Sequence, residues 1–149
     1  RTAFLVSGGI GLVIFATFPV APPRLADIGL ADTVTDRSHA YRVLQPPIFV
    51  NQYAAMPSLH FGWDLLIGIT LVATARSTVL RVIGVLLPLA MAFAVVSTAN
   101  HFIIDAVAGG ALALFGLAVA LWWERGRARA SLREAQLAAP REGAEPGET

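Results

Sequence analysis

The distribution of apolar residues constrains this chain more than any other feature of the sequence. Four apolar runs occupy most of its first part: residues 2–20, 57–75, 82–98 and 101–123. A helix of about 20 apolar residues crosses the hydrocarbon core of a bilayer. Charged residues make up only 14% of the chain, whereas a soluble domain carries about 25%. The pattern therefore predicts an all-α, polytopic transmembrane helix bundle with about four spans.

The first and third runs each have a feature that bears on this prediction. Residues 2–20 have one basic flank, Arg1, and a short apolar core, a pattern that is also typical of a signal peptide. Pro88 interrupts residues 82–98, and a proline inside a membrane helix usually produces a kink rather than an end. Because the chain begins with Arg1 rather than Met, we expect an N-terminal part to be missing.

The polar segments suggest how the chain is divided. Residues 21–56 form a proline-punctuated connection in which arginines balance aspartates, and loops of this length are often binding loops. We expect a short helix within it, at residues 38–44. The predicted membrane catalytic domain is residues 1–123. Residues 124–149 form a tail whose basic first part prolongs the last helix into water and whose end has the composition of disorder.

The arginines outside the loop predict a topology. Arg76, Arg81 and the four arginines of residues 125–133 flank the same ends of alternating helices. The positive-inside rule places those ends, and the C-terminus, in the cytoplasm. The loop and the polar starts of the second and fourth runs then lie together on the outer face.

Two histidines on that face each have an aspartate four residues later: His60 with Asp64, and His101 with Asp105. On a helix, this spacing puts both side chains on one face, one turn apart. A carboxylate beside an imidazole can fix its tautomer and stabilise its charged form, and ionisable groups in membrane segments are functional by default. Alternatively, His101 and Asp105 form a pair at a helix start whose side chains only bond to each other at the boundary with water, without a functional role.

Three chemistries could use such a set. The four side chains could bind zinc, although no HExxH signature is present, or they could relay protons in a transporter. Two histidines could also transfer a phosphoryl group, one as nucleophile and one as acid–base, with arginine holding the phosphate. The chain has no cysteine, which excludes thiolate chemistry, and its net charge of +1 argues against a nucleic-acid partner.

Two segments favour the third chemistry. NQYAAMPSLHFGW, residues 51–63, and STANHFIIDAVAGG, residues 97–110, together resemble the second and third signature motifs of the type-2 phosphatidic acid phosphatase superfamily. They resemble in particular the branch that contains fungal inositol phosphorylceramide synthase and related bacterial membrane proteins, in which PVAPPRL is also familiar. The resemblance covers residues 18–123 in three blocks. We therefore expect a fragment of a six-span integral protein of the bacterial plasma membrane, with its active site on the outer face that the arginines predict.

The resemblance also implies roles for individual residues. His101 matches the histidine that attacks phosphorus and carries a phosphohistidine, and Asp105 matches the carboxylate that orients it. His60 matches the general acid that protonates the leaving oxygen and then activates water or an acceptor alcohol. Ser58 matches a phosphate contact. The family chemistry requires no metal or other cofactor.

The sequence departs from the family pattern at the residues expected to bind the phosphate. Leu59 stands where the broader superfamily has a glycine, and Val95 stands where it has a phosphate-binding arginine. The first basic motif has no clear counterpart. Arg24 is therefore the best replacement candidate, and the other candidate substrate-binding residues are Arg42 and Asn100.

We therefore expect a membrane-embedded lipid phosphatase or phosphotransferase, acting on a lipid phosphate with water, inositol or another alcohol as acceptor. The alternative is a non-catalytic membrane module or transporter subunit that retains the fold.

Overall fold

The computed structural model describes residues 1–26, Gly29 and 53–138, and this part of the chain is helical. Helix α1 (Thr2–Thr17) is followed by one turn of 3₁₀ helix (Pro23–Leu25), and then by the three helices α2 (Leu59–Thr74), α3 (Thr78–Ser97) and α4 (Ile103–Ala138). The described residues contain no β-strand, only an isolated parallel bridge between Val20 and Ala54. The all-α prediction is confirmed for these residues.

The helices differ in whether they are long enough to cross a membrane. Helix α3 and the segment Ile103–Leu137 of α4 are both long and apolar enough to do so. Helices α1 and α2 are also apolar but have 16 residues each, about 24 Å of helix. Two spans are thus supported by length and composition, and a bundle of four spans stays a prediction.

The observed helices begin within a few residues of the starts predicted from the sequence. Ser58 is the N-cap of α2, where its hydroxyl oxygen accepts a hydrogen bond from the Phe61 amide at 3.4 Å. Helix α3 begins at Thr78, earlier than the apolar run at residue 82. Arg81 therefore lies in the first turn of α3, from which its Nε donates to the Ala75 carbonyl at 2.9 Å. Helix α4 continues past the apolar run to Ala138, as the tail sequence predicted.

Small residues let the helix backbones approach each other closely. Helix α4 packs on α1 and α2, and α3 packs on α2. At the α2–α4 contact, a Cβ added to Gly109 would overlap the Ser58 carbonyl, and one added to Gly62 would lie 2.5 Å from the Gly109 carbonyl oxygen. At the α2–α3 contact, a Cβ on Gly68 would overlap the Gly84 carbonyl. Packing through small residues is typical of helices in membranes.

A polar link joins α1 to α2. The indole Nε1 of Trp63 donates to the Ser7 hydroxyl at 3.2 Å, and this hydroxyl donates to the Ala3 carbonyl at 2.8 Å. The ring of Trp63 also meets Phe4 edge to face, with 5.8 Å between the ring centroids. Trp63 therefore positions α2 against α1 by both packing and hydrogen bonding.

Large apolar side chains cover much of the surface. Among the described residues, the buried apolar cluster consists of Ala3, Leu66, Ala113 and Ala120. In contrast, Phe93 and Trp122 are among many large apolar side chains that are exposed. Extended apolar surface of this kind marks contact with a membrane or a partner, which is compatible with a membrane protein.

Each of the four helices has one terminus at the same end of the bundle. After α1, the Val20 amide donates to the Tyr53 carbonyl at 2.6 Å, and the Arg24 amide donates to the Ala99 carbonyl, just after α3, at 3.1 Å. The Ser58 amide donates to the Asp105 carbonyl in the first turn of α4 at 2.9 Å. These main-chain bonds bring the polar motifs together at one end. The predicted helix at residues 38–44 lies outside the described residues.

Candidate active site

His101 lies at the centre of this end and is held by the main chain. Its side chain is 7% exposed, and its Nδ1 is 2.7 Å from the Ala55 carbonyl oxygen. A carbonyl oxygen only accepts hydrogen bonds, so Nδ1 carries a proton. In the neutral ring, the lone pair then resides on Nε2. The bond thus fixes the tautomer in which Nε2 is available as a nucleophile.

The surroundings of His101 also favour its neutral form. Burial lowers the pKa of His101 below its usual value, because desolvation penalises the imidazolium. The positive form of nearby His60 acts in the same direction, whereas the Ala55 carbonyl and the Asp105 carboxylate act against it. The net lowering keeps an unprotonated Nε2 available at neutral pH.

The turn before His101 aims it into the site. Ala99 has a φ of +52°, in the left-handed region that residues other than glycine seldom occupy. Immediately after it, the amides of Asn100 and His101 both donate to the Val95 carbonyl, at 3.1 and 3.0 Å. Val95 is buried in α3, and it occupies the position where the superfamily pattern has an arginine. Here that position supports the histidine through its main chain.

Asp105 has two structural contacts. Its carboxylate Oδ2 accepts a hydrogen bond from the Phe102 amide at 2.8 Å and lies 3.7 Å from His101 Nδ1. The first contact caps the N-terminus of α4 in the manner of a capping box. Asp105 is only 1% exposed, so its charge acts on His101 with little screening by water. The predicted pair is therefore present, although the closer partner of Nδ1 is the Ala55 carbonyl.

His60 faces His101 from the first turn of α2. The two ring centroids are 6.0 Å apart, and the ring planes are inclined by 55°. In contrast to His101, His60 is exposed. The structure therefore pairs a buried imidazole with an accessible one.

Arg24 is connected to the residue before His101. Its Nε donates to the Asn100 side-chain carbonyl oxygen at 2.9 Å, and the Asn100 amide nitrogen donates to the Thr98 hydroxyl at 2.8 Å. Arg24 is 9% exposed. Asn100, the residue before His101, thus helps to orient the guanidinium.

The remaining predicted site residues have different positions. Ser58 is fully buried as the N-cap of α2, and its contact with phosphate stays a prediction. Leu59, which replaces the family glycine, packs on Gly11 of α1. Asp64 lies one turn after His60, on the wall of a cavity between α2 and α3. Arg42 lies outside the described residues.

The Ala55 carbonyl is the feature that sequence reasoning missed. A main-chain carbonyl leaves no residue-type signal, and its role depends on the bridge between Val20 and Ala54 that positions it. The only available signal was its proximity to the PSLH segment in the sequence. Within the described residues, no three histidine, aspartate or glutamate side chains lie together so as to hold a metal ion.

An apolar cavity of about 420 Å³ lies between the start of α2, the last turns of α3 and the start of α4. Its lining includes Phe61, which follows His60 in the sequence, and Ile103 and Ala106 in the first turn of α4, near Asp105 in the sequence. The cavity is therefore lined in part by residues that lie within one helical turn of His60 and Asp105 along the chain.

Comparison with known proteins identifies the family. A sequence model of the PAP2 superfamily matches residues 1–119, so the chain belongs to this superfamily. Membership suggests phosphatase-like chemistry on lipid phosphoesters and is compatible with a membrane protein. No curated protein and no solved structure matches the chain significantly.

Proposed function

We propose that this protein cleaves or transfers a phosphoester of a membrane lipid by double displacement, with a phosphohistidine formed on His101. The observation that carries the proposal is the 2.7 Å contact between His101 Nδ1 and the Ala55 carbonyl. It leaves the lone pair on Nε2, the atom required for attack. Family membership supports the same class of chemistry.

In the first step, Nε2 of His101 attacks phosphorus and the bond from phosphorus to the ester oxygen breaks. The leaving oxygen takes a proton from His60, whose ring centroid lies 6.0 Å from that of His101. The carboxylate of Asp105, 3.7 Å from Nδ1, stabilises the positive charge that develops on the ring. This arrangement combines nucleophilic catalysis with general acid catalysis.

In the second step, His60 accepts a proton from water or an acceptor alcohol as its oxygen attacks phosphorus. The bond between phosphorus and Nε2 breaks, and His101 returns to its neutral form. With water the product is free phosphate, and with an alcohol it is a new phosphoester. We infer an inositolphosphotransferase-like acceptor reaction from the branch that the two motifs resemble.

Arg24 would hold the phosphate in both steps. A guanidinium is suited to bind phosphate oxygens through two parallel hydrogen bonds, and the Asn100 contact at 2.9 Å fixes its orientation. Arg42 is a second candidate for this role. In this arrangement Asn100 orients Arg24, and the amides at the start of α2 add a favourable field for an anion.

The apolar cavity supports a lipid as substrate. Its lining is formed by apolar side chains and Ser97, and it includes Phe61, the residue after His60. A phosphate bound at Arg24 would allow an attached hydrocarbon chain to enter the cavity, where burial of apolar surface is favourable. We propose that the reaction takes place at the outer face of a plasma membrane.

Trapping the phosphoenzyme tests the proposal. p-Nitrophenyl phosphate has a good leaving group and needs little protonation, so His60→Ala protein should still phosphorylate His101 and then stall. His101→Ala protein should form no phosphoenzyme. Mass spectrometry of acid-free, rapidly quenched protein locates the phosphate. Phosphate on His60 would reverse the roles of the two histidines. Its absence from every variant, together with no phosphate release from lipid phosphates, would favour the non-catalytic alternative.

A further inference from the structure

The turn between α3 and α4, residues 98–101, holds Arg24 as well as His101. The Arg24 amide donates to the Ala99 carbonyl at 3.1 Å, and the Arg24 Nε donates to the Asn100 side-chain carbonyl oxygen at 2.9 Å. The main chain and the side chain of this arginine are therefore both bonded to the turn. The same turn presents His101, so it connects the proposed nucleophile to the proposed phosphate-binding residue.

The side chain of Thr98 begins a series of hydrogen bonds that ends at Arg24. Its hydroxyl donates to the Ala94 carbonyl, one turn earlier in α3, at 2.6 Å, and its oxygen accepts from the Asn100 amide nitrogen at 2.8 Å. The series runs from the exposed Thr98, through the half-buried Asn100, to the buried Arg24. A surface hydroxyl is thus linked to a buried guanidinium by one intervening side chain.

The chemistry of Thr98 fixes the direction of these bonds. A hydroxyl has one hydrogen, and in Thr98 the Ala94 carbonyl accepts it. Thr98 can then only accept from Asn100, so the amide nitrogen of Asn100 faces Thr98 and its carbonyl oxygen faces Arg24. Because the Nε of Arg24 is a donor, the reversed amide would place two N–H groups against each other. Thr98 therefore selects the amide orientation that binds Arg24.

We propose that Thr98 is a positioning residue for the phosphate site: by fixing the orientation of the Asn100 amide, it holds the Arg24 guanidinium where a phosphate binds. This inference rests on the proposed function, which assigns phosphate binding to Arg24. Thr98 acts only through Asn100. The last turn of α3, where the superfamily pattern has an arginine and this chain has Val95, thus contributes a support for an arginine from another segment.

Removing the hydroxyl tests the proposal with little change of shape. Thr98→Val keeps the size of the side chain but cannot accept from Asn100, so the Asn100 amide is free to reverse. We expect the affinity for inorganic phosphate, measured by ³¹P NMR in detergent, to fall about two- to tenfold, the contribution of one such hydrogen bond. Thr98→Ser keeps the hydroxyl and should retain the wild-type affinity.

Thr74→Val is the matched control. Thr74 is the last residue of α2, is exposed, and donates to the Thr70 carbonyl, four residues earlier, at 2.8 Å. Its replacement removes the same kind of bond at a helix end, but at the end of α2 opposite to His60. It should leave the affinity for phosphate unchanged. Equal losses in Thr98→Val and Thr74→Val would overturn the proposal.

A double-mutant cycle tests whether Thr98 acts through Arg24. Residues in one hydrogen-bond network have non-additive effects. Thr98→Val should therefore have little further effect on kcat/KM for a lipid phosphate once Arg24 is replaced by alanine. A loss by the same factor in both backgrounds would show that Thr98 acts independently of Arg24, and would overturn the proposal.

NMR of Arg24 distinguishes failure of this inference from failure of the proposed function. Exchange of its Nε–H proton with water reports the bond to Asn100 without phosphate or turnover. Thr98→Val should speed this exchange, whereas Thr98→Ser and Thr74→Val should not. If exchange is faster but Arg24→Ala binds phosphate as the wild type does, the positioning of Arg24 stands and its proposed role in binding phosphate fails. Unchanged exchange in Thr98→Val would overturn the inference whatever the activity.

Discussion

At the level of single residues, the two histidines differ mainly in their surroundings. His101 is almost fully buried against the Ala55 carbonyl, whereas His60 is exposed. A buried, neutral imidazole suits a nucleophile, and an accessible one suits a group that exchanges protons with substrate and acceptor. The division of labour implied by the family resemblance thus has a physical basis in burial.

The lowered pKa of His101 predicts where activity is lost in acid. Nucleophilic attack needs neutral His101, so kcat/KM should fall only when the pH drops through its folded pKa, which lies below the usual value near 6.5. Asp105→Asn removes one of the influences that raise this pKa, so the acid limb should move to still lower pH. The maximal rate should fall as well, because the charge that stabilises phosphorylated His101 is lost. A pH–rate profile in detergent checks both effects.

Because Asp105 also caps α4, the Asp105→Asn variant must keep this cap if its kinetics are to report on charge alone. An asparagine side chain can still accept the bond from the Phe102 amide, now 2.8 Å from Asp105 Oδ2, so Asp105→Asn should fold normally. An acid limb that moves to higher pH in this variant would contradict the assignment of His101 as the neutral nucleophile.

We expect Arg24 to provide much of the affinity of the site for phosphate. Arg24→Ala should lower kcat/KM by about 10²–10³-fold, the usual effect of removing one charge-stabilising donor. Arg24→Lys should recover little, because an ammonium cannot bind both Asn100 and phosphate in a fixed fork. Arg133→Ala, at an exposed position near the end of α4, is the matched control. If Arg24→Ala and Arg133→Ala have similar kinetics, a residue other than Arg24 binds the phosphate, and Arg42 is the next candidate.

Sequence reasoning found the ionisable residues of the site but not the contacts that tune them. The spacing of His101 and Asp105 predicted their proximity, since one helical turn separates them. The Ala55 carbonyl could not be found, because its position depends on pairing with Val20 rather than on residue type. The pairing of Arg24 with Asn100, 76 positions apart in the chain, likewise depends on how α1 and α3 end at the same place.

At the level of helices, the α2–α4 contact sets the distance between the two histidines. His60 lies in the first turn of α2 and His101 precedes α4. The two helices approach closely at Gly62 and Gly109. The gap at Gly109 is filled by the Ser58 main chain. The geometry of the site therefore depends on the absence of a side chain at this position.

Gly109→Ala should disturb both stability and activity. The added Cβ would overlap the Ser58 main chain, which cannot yield as a flexible side chain could. We expect a loss of about 1–3 kcal/mol in stability and a drop in activity as α2 moves away from α4. Thermal unfolding and phosphate release in detergent measure the two effects.

Gly126→Ala is the matched control for that substitution. It lies in the same helix, and a Cβ there meets nothing within 4 Å. It should leave activity unchanged and slightly favour the helix. Equal behaviour of the two alanine variants would show that the close approach at Gly109 is unimportant.

The helix boundaries show which part of the fold can be predicted from hydropathy. The apolar runs located all four helices because burial in lipid or protein requires apolar side chains over most of each helix. They placed the start of α3 at residue 82, whereas the helix begins at Thr78. Arg81 looked like part of a turn, yet its long side chain reaches back to the Ala75 carbonyl from within the first helical turn.

At the level of the whole molecule, the polar groups segregate to the two ends of the bundle. The histidines, Arg24 and Asn100 lie where α2 and α4 begin. The turn between α2 and α3, with Arg76 and Arg81, lies at the opposite end of α2. Helix α4 has 36 residues, about 54 Å, so its basic last part extends well beyond a hydrocarbon core of about 30 Å.

This segregation predicts the orientation of the protein in a membrane. Positively charged segments stay in the cytoplasm, so a reporter fused after Thr149 should be cytoplasmic, and one inserted at Asp36 should be external. A phosphatase reporter, active only outside, and a fluorescent protein, folded only inside, measure the two positions. Replacing the four arginines of residues 125–133 by glutamine should weaken this preference, because the charge difference between the two ends would then rest on Arg76 and Arg81. A cytoplasmic reporter at Asp36 combined with an external one at Thr149 would place the histidines on the inner face, where the enzyme would meet cytoplasmic rather than external acceptors.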